Sequence, residues 1–95
     1  MTLDAIFAQQ MSEIKGIVRD YETKEPLSYV TIIVEPLKTG TTTDEKGYYH
    51  LSVPYGDYSV SYSFLGYITE SINVKLNDSN KTVDISLKQD SKMLD

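Results

Sequence analysis

The only histidine in the 95-residue sequence is His50, and histidine is the side chain whose charge changes most readily near neutral pH. A Ser-His-Asp triad is defined by geometry, so sequence order alone leaves such a site open. His50 alternates with Tyr49 and Leu51, which places it on the solvent face of a predicted strand. Because no nucleophile-elbow motif lies nearby, we interpret His50 as a surface residue and predict no catalytic residue.

Acidic residues in two turn-like segments could supply oxygen ligands for calcium. Asp44 and Glu45 precede Gly47, and Asp78 lies in a polar loop. The spacing of an EF-hand is missing, and turn chemistry explains these acids without a metal. We therefore predict neither a metal nor a cofactor. The sequence also has no cysteine, which excludes disulfides, thiolate nucleophiles and cysteine-based zinc sites.

A covalent bond between Lys15 and Asn73 is another candidate, because spontaneous Lys–Asn cross-links occur in some β-sandwich domains. Both residues fall on predicted polar strand faces. The buried acid that such a bond requires cannot be assigned from the sequence. The pattern therefore favours two unlinked surface residues.

Eight tyrosines are the remaining side chains that could form a binding site. Three of them fall on predicted apolar strand faces and are expected in the core. Three further tyrosines lie near turns, where they could form an aromatic contact surface or pack locally against the turns. The core group is Tyr49, Tyr58 and Tyr62, and the candidate interaction surface is Tyr48, Tyr55 and Tyr67.

Length and charge limit the classes of function. Ninety-five residues with 40% hydrophobic and 24% charged side chains suit one small globular domain. The net charge of −5 disfavours nucleic acid, whose phosphates are bound mainly by clusters of Lys and Arg. The basic residues are scattered, and no segment approaches the roughly 20 apolar residues of a spanning helix. We predict no nucleic-acid partner and no membrane insertion.

From Ile14 onward the hydrophobic period is two, which indicates strands with one buried face. The clearest run is Tyr58 to Phe64, in which serines alternate with large apolar residues. Turn residues separate such runs at intervals of about ten residues, as in a sandwich. Six clear strands and one weak strand are expected around residues 14–19, 29–35, 41–43, 48–53, 58–64, 68–76 and 83–87.

This pattern predicts an all-β fold, an antiparallel, seven-stranded Greek-key β-sandwich, because no helix separates the strands. Its core is expected to hold one apolar face of each strand. The residues assigned to the core are Val18, Val30, Ile32, Leu51, Val53, Val60, Tyr62, Val83 and Ile85.

The two ends differ in composition from the predicted domain. Residues 1–13 contain a short apolar patch with Ala8 at a candidate cleavage point, so they are either a signal-peptide remnant or a disordered leader. Residues 14–88 form the predicted domain. Residues 89–95 lack an alternating apolar face and are expected to be a flexible linker.

The turn and core residues together form a string that resembles the carboxypeptidase regulatory-like domain. The resemblance runs from about Ile14 to Leu87 and implies a transthyretin-like sandwich. The matching residues are Gly16-x-Val18-x-Asp20, Pro26-Leu27, Thr43-Asp44-x-x-Gly47-x-Tyr49-x-Leu51-x-Val53-Pro54-x-Gly56-x-Tyr58 and Gly66-Tyr67.

The ends extend this resemblance to SusC-like TonB-dependent outer-membrane receptors of Bacteroidetes-type bacteria. Residues 7–10 look like a signal-cleavage region, and residues 87–95 look like the junction to a TonB box and plug. The resemblance implies a periplasmic N-terminal extension whose partners are the receptor plug and barrel, and TonB-type or other periplasmic machinery. Transthyretin-like hydrolases share the topology, but their several catalytic histidines are missing here.

Two functions remain open from the sequence. The first is a non-enzymatic periplasmic interaction module that assists energised import by a receptor. The alternative is a carbohydrate-binding or adhesion-type sandwich that uses exposed tyrosines. An enzyme is the least favoured class, because the sequence shows no catalytic constellation.

Overall fold

A computed structural model describes residues 10–91 of the protein. This part of the chain contains eight β-strands and no α-helix, so the predicted all-β architecture is confirmed. The strands are β1 Met11–Asp20, β2 Thr31–Glu35, β3 Thr39–Thr42, β4 Tyr48–Pro54, β5 Gly56–Ser63, β6 Glu70–Leu76, β7 Asn80–Thr82 and β8 Ile85–Leu87.

The strands form two four-stranded sheets that pack face to face. In the first sheet β1 is central, with β4 on one side and both β7 and β8 on the other. In the second sheet the order is β3-β2-β5-β6, and all neighbours are antiparallel. β7 and β8 instead run parallel to β1. The expectation of a purely antiparallel sandwich is therefore wrong at this edge, because the chain crosses over from β6 in the second sheet before it pairs with β1.

The core lies between the two sheets because successive strand residues point to opposite faces. On β5, Val60 and Tyr62 are fully buried, whereas the intervening Ser59, Ser61 and Ser63 lie on the outer face of the second sheet and are half-buried. The buried hydrophobic cluster consists of Ile14, Val18, Val30, Ile32, Val34, Tyr49, Val53, Val60, Tyr62, Val74, Leu76 and Leu87.

Four residues expected in the core are only half-buried: Leu51, Tyr58, Val83 and Ile85. Leu51 and Ile85 lie on strands at the two edges of the first sheet, where neighbours cover only one side. Val83 lies in the interval between β7 and β8. Ile68, which was expected to continue the β6 pattern, lies outside the strand and is 50% exposed.

The predicted last strand is divided because Val83 and Asp84 leave the ladder. Val83 N still donates to Lys15 O at 2.7 Å, but the amide of Ile17 donates to the Asp84 carboxylate at 3.0 Å. The Val83 carbonyl turns towards Gly16, and a Cβ at position 16 would lie 1.9 Å from that oxygen. Only glycine leaves room for this approach.

The Val83 carbonyl is bound by a pair of buried tyrosines that joins the sheets. The hydroxyl of Tyr49 on β4 donates to Val83 O at 2.7 Å and lies 2.7 Å from the hydroxyl of Tyr62 on β5. Their rings meet edge to face, with centroids 5.6 Å apart. Burial raises the pKa of both tyrosines above the ordinary value, so both hydroxyls keep their protons and can donate.

The described domain is longer at both ends than residues 14–88. β1 begins at Met11, which pairs with Pro54, so the first strand starts three residues before the expected boundary. At the other end Gln89 forms a bridge with Tyr67, and Asp90 N donates to Gly66 O at 2.9 Å. Backbone pairing can therefore extend the domain without an alternating apolar face. The rest of the predicted leader and linker, residues 1–9 and 92–95, lies outside the described part.

We predict that Tyr49→Phe destabilises the protein by about 1–3 kcal/mol, because the half-buried Val83 carbonyl loses its donor. Chemical denaturation at neutral pH measures this change. Tyr48→Phe is the matched control, since its side chain is 54% exposed on the opposite face of the same strand and should change stability by less than about 0.5 kcal/mol. Equal effects of the two variants would contradict the bridging role of Tyr49.

Candidate functional site

The three tyrosines of the candidate interaction surface do not lie together. Tyr48 begins β4 and is 54% exposed, whereas Tyr55 follows its last residue and is 38% exposed. The strand separates them by roughly 20 Å at its usual rise per residue. Tyr67 is half-buried in the β5–β6 loop. A binding role for any of the three stays a prediction, but they cannot form one continuous patch.

Tyr67 instead belongs to a cluster around the buried carboxylate of Asp20. Its hydroxyl donates to Asp20 Oδ2 at 2.6 Å, and the side-chain amide of Gln89 donates to the same oxygen at 3.0 Å. The backbone amides of Glu22 and Thr23 donate to Oδ1 at 2.8 and 3.0 Å. The end of β1, the β5–β6 loop and the segment after β8 are thereby joined at one point.

These hydrogen bonds determine the charge of the cluster. The hydroxyl of Tyr67 foremost, then the Thr23 amide and Gln89, hold the pKa of Asp20 well below its usual range. The same bond raises the pKa of Tyr67, because ionisation would place two anions side by side. Asp20 is thus an anion at neutral pH that accepts hydrogen bonds from four donors, which suits a structural anchor and not a proton-transfer group.

Apolar side chains are exposed beside this anchor. We call Tyr29, Leu65 and Ile68 the apolar tip; they are 63%, 84% and 50% exposed. Tyr29 and Leu65 line one shallow depression together with Phe64 and Tyr67, and Ile68 follows in the same loop. Sequence reasoning missed this surface, because it placed Tyr29 and Ile68 within strands. The Phe64-Leu65-Gly66-Tyr67 run was the available signal, since Gly66 ends the alternation.

A second surface is the groove on the outer face of the first sheet. His50 lies here with its side chain 77% exposed, and its Nδ1 is 3.3 Å from Oε2 of Glu13. Its expected position on a solvent face is confirmed. Within residues 10–91 no described hydrogen bond joins His50 to a hydroxyl that could act as a nucleophile. Other residues that line the groove are Lys15, Arg19, Tyr48, Thr82 and Asp84.

Acidic residues in two turn-like segments are candidate calcium ligands from the sequence, and the structure gives Asp44 and Asp78 another role or position. Asp44 Oδ1 accepts from the amides of Lys46 and Tyr48 at 2.8 and 3.0 Å, which closes the β3–β4 turn as expected for a turn residue. Asp78 is exposed in the loop before β7. Among the described residues no group of three His, Cys, Asp or Glu side chains could hold a metal ion.

Lys15 and Asn73 lie in different sheets. Lys15 is exposed on β1 and pairs with His50, whereas Asn73 is exposed on β6 and pairs with Ser59. Both side chains are on outer faces, so the core separates them. The cross-link considered above is therefore excluded by the fold.

The whole described domain matches a known family of β-sandwiches. Residues 14–95 match the CarboxypepD_reg-like domain, and this range includes Gly16, Asp20 and Tyr67, whose contacts in this chain are described above. The chain belongs to the CarboxypepD_reg-like domain family. The resemblance drawn from the turn and core residues is thereby confirmed. This family is one of receptor regulatory domains.

Relatives of this CarboxypepD_reg-like domain are parts of much longer proteins. The TonB-dependent receptor SusC of Bacteroides thetaiotaomicron is 38% identical over 95 residues, which are all of this chain and 9% of the receptor. The TonB-dependent receptor P39 of Formosa agariphila is 33% identical over 84 residues, or 88% of this chain and 8% of that receptor. The chain therefore spans less than a tenth of these relatives, and it is homologous to proteins of the outer membrane.

Solved structures support the fold. The C-terminal domain of the shaft pilin SpaA from Lactobacillus rhamnosus GG superposes with a TM-score of 0.67 at 16% identity, covering 84% of this chain and 98% of that one. The major pilin subunit BcpA of Bacillus cereus gives 0.62 at 19% identity, with coverages of 84% and 30%. Residues 10–91 contain no helix long and apolar enough to cross a membrane.

We predict that Asp20 makes stability depend on acidity. Its pKa is depressed in the folded state, so its contribution is complete above the unfolded value of about 3.9 and is lost progressively as the pH falls below it. Urea midpoints between pH 7 and pH 2.5 should fall more steeply for the unmodified protein than for Asp20→Asn. Asp57→Asn, which removes an exposed carboxylate, should keep the steeper dependence. Parallel curves for all three proteins would show that the Asp20 cluster does not stabilise the fold.

Proposed function

We propose that this chain is a non-enzymatic interaction module at the N-terminus of a TonB-dependent, SusC-like outer-membrane receptor. In this proposal the domain lies on the periplasmic side of the membrane and assists energised import. Its partners are the plug and barrel of the same receptor, and TonB-type or other periplasmic machinery.

The observation that carries the proposal is the match to SusC over the full 95 residues, at 38% identity, although those residues make up only 9% of the receptor. A second receptor matches over 88% of the chain. A domain that is a small constant part of large receptors is expected to serve the receptor. The proposed periplasmic position is consistent with the proposed role in energised import, because TonB-type machinery would meet such a receptor from that side.

The chemistry of the described residues supports a role in binding. Catalytic groups need side chains that are free to exchange protons or to attack a substrate. Asp20 already accepts four hydrogen bonds, and Asp44 is used in closing a turn. The buried hydroxyl of Tyr49 donates to a backbone carbonyl. The polar groups with the strongest bonding therefore hold the sandwich together.

A carbohydrate-binding or adhesion-type module is the second candidate. The groove on the outer face of the first sheet favours it, because the exposed ring of Tyr48 lies there beside the polar groups of His50 and Glu13. Sugars commonly bind by stacking on an aromatic ring while neighbouring polar side chains bond their hydroxyls. The mixed charges of the groove would suit a neutral glycan.

Deletion of residues 14–87 from the full-length receptor tests the first candidate. We expect uptake of the receptor's substrate to fall strongly, while binding at the extracellular face is unchanged, because the barrel and its outer loops are left intact. Uptake and surface binding are measured in the same cells. A receptor in which a Gly/Ser linker of equal length replaces residues 14–87 is the matched control for chain length.

The two other outcomes separate the alternatives. Unchanged uptake after deletion would exclude a coupling role for the domain. Equal losses of binding and uptake, with less receptor in the outer membrane, would instead indicate a role in assembly.

The second candidate predicts that glycan titration of the domain gives a saturable signal that Tyr48→Ala weakens at least tenfold. Loss of a stacking ring removes contact area without affecting the core, since Tyr48 points away from it. Tyr55→Ala, at the other end of β4, is the control and should bind as the unmodified protein does. Absence of saturable binding across a panel of neutral glycans would remove this candidate.

A further inference from the structure

The apolar tip exposes more hydrophobic surface than the fold requires. Leu65 is 84% exposed, and Tyr29 and Ile68 are at least half-exposed. Single exposed apolar residues are ordinary, but neighbouring ones around a shared depression often mark an interaction site. Tyr29 and Leu65 line one depression together with Phe64 and Tyr67, and Ile68 follows Tyr67 in the chain.

Backbone geometry holds these side chains outward. Tyr29 has a φ of 62°, an uncommon conformation for a residue with a bulky side chain. Thr43 fixes it from both sides, since its carbonyl accepts from Tyr29 N at 3.0 Å and its hydroxyl accepts from Val30 N at 2.9 Å. Gly66, with a φ of 89°, turns the chain directly after Leu65.

The loop that carries Leu65 and Ile68 is anchored at several points. Tyr67 donates to Asp20, and its ring packs 5.7 Å from that of Phe64. Ile68 N donates to Lys88 O, and Asp90 N donates to Gly66 O, both at 2.9 Å. A surface ordered in advance loses little conformational entropy when a partner binds, so these anchors favour association.

The position of the apolar tip beside the exit of the chain indicates which part of a receptor lies nearest to it. The hydrogen bond from Asp90 to Gly66 brings the chain out of the domain next to Leu65. In the receptor relatives the matched region is only 9% and 8% of the protein. A receptor domain joined to the chain beyond Asp90 is therefore tethered on the side of the tip, which raises its effective concentration there.

We propose that the apolar tip docks onto the next receptor domain along the chain. The two domains then move as one rigid body. The tip forms the interface between them, and the residues between the domains serve only as a connection. This inference rests on the proposed function, namely that the chain is part of a TonB-dependent receptor. It names the surface through which the domain contacts that receptor.

Cysteine labelling tests the proposal, because the 95 residues contain no cysteine of their own. Leu65→Cys is placed in the full-length receptor and in the 95-residue chain, and its reaction with a maleimide is followed on the labelled peptide by mass spectrometry. We expect the reaction to be at least tenfold slower in the purified receptor. Leu37→Cys is the matched control, because Leu37 is 46% exposed beyond the other end of β2. Its rate should agree within twofold between the two proteins.

Several outcomes would overturn the proposal. Equal rates for Leu65→Cys in the chain and in the receptor mean that the tip is free. Slow labelling in the chain that becomes faster on dilution means that a second copy covers the tip. Slow labelling in outer-membrane preparations but not in purified receptor means that a separate partner covers it.

Hydrogen exchange of the unmodified proteins is a second measurement, because the cysteine substitution could itself change how the tip packs. In the unmodified receptor, the amides of residues 65–68 should exchange more slowly than in the 95-residue chain, while those around Leu37 should not differ. No difference at residues 65–68 would overturn the docking even if the cysteine result were favourable. The docking and the proposed coupling are separable, because labelling reports contact, whereas uptake after deletion reports function.

Discussion

The carbonyl of Val83 is the point at which the strands of the first sheet and the facing sheet meet. Once this oxygen turns inward it needs a donor, since a half-buried acceptor without one is costly. Tyr49 supplies the donor from β4, and Tyr62 adds the second sheet through its own hydroxyl. Gly16 makes the arrangement sterically feasible. Gly16, Tyr49 and Tyr62 come from β1, β4 and β5. The complete set of contacts around the Val83 carbonyl therefore forms only when these strands are correctly paired.

The same departure from the ladder frees an amide of β1 on the edge that faces β7 and β8. Ile17 would lose its partner where Val83 and Asp84 leave the sheet, but the carboxylate of Asp84 accepts the bond. The side chain thus replaces a backbone acceptor and allows β7 and β8 to continue on either side of the interruption. The displaced Val83 carbonyl is compensated by a phenol hydroxyl, and the exposed Ile17 amide by a carboxylate, so both groups keep a hydrogen-bond partner.

The alternation of apolar and polar residues predicted the strands and most of the core, because burial of one face of a strand imposes a hydrophobic period of two on the sequence. The Tyr58 to Phe64 run is the clearest example, since β5 and its buried face agree with it. Contacts between distant residues leave no such local signal. Asp20 binds side chains 47 and 69 positions away. Thr43, which was expected in a weak edge strand, is fully buried, and its hydroxyl forms two hydrogen bonds. The apolar tip was missed because Ile68 extends a strand-like pattern into a loop.

The parallel pairing of β1 with β7 and β8 places the two ends of the described domain at opposite poles. Met11 begins β1 beside Pro54, whereas the chain leaves past Leu87, which pairs with Asp20 at the far end of the same strand. A pulling force on the two ends would therefore act along β1 and load the bonds to β7 and β8 in shear. Bonds loaded in this way must break together, whereas a hairpin pulled from one side opens one bond at a time. The parallel pairing would thus resist such a force by shear, and the rate of forced unfolding would measure that resistance.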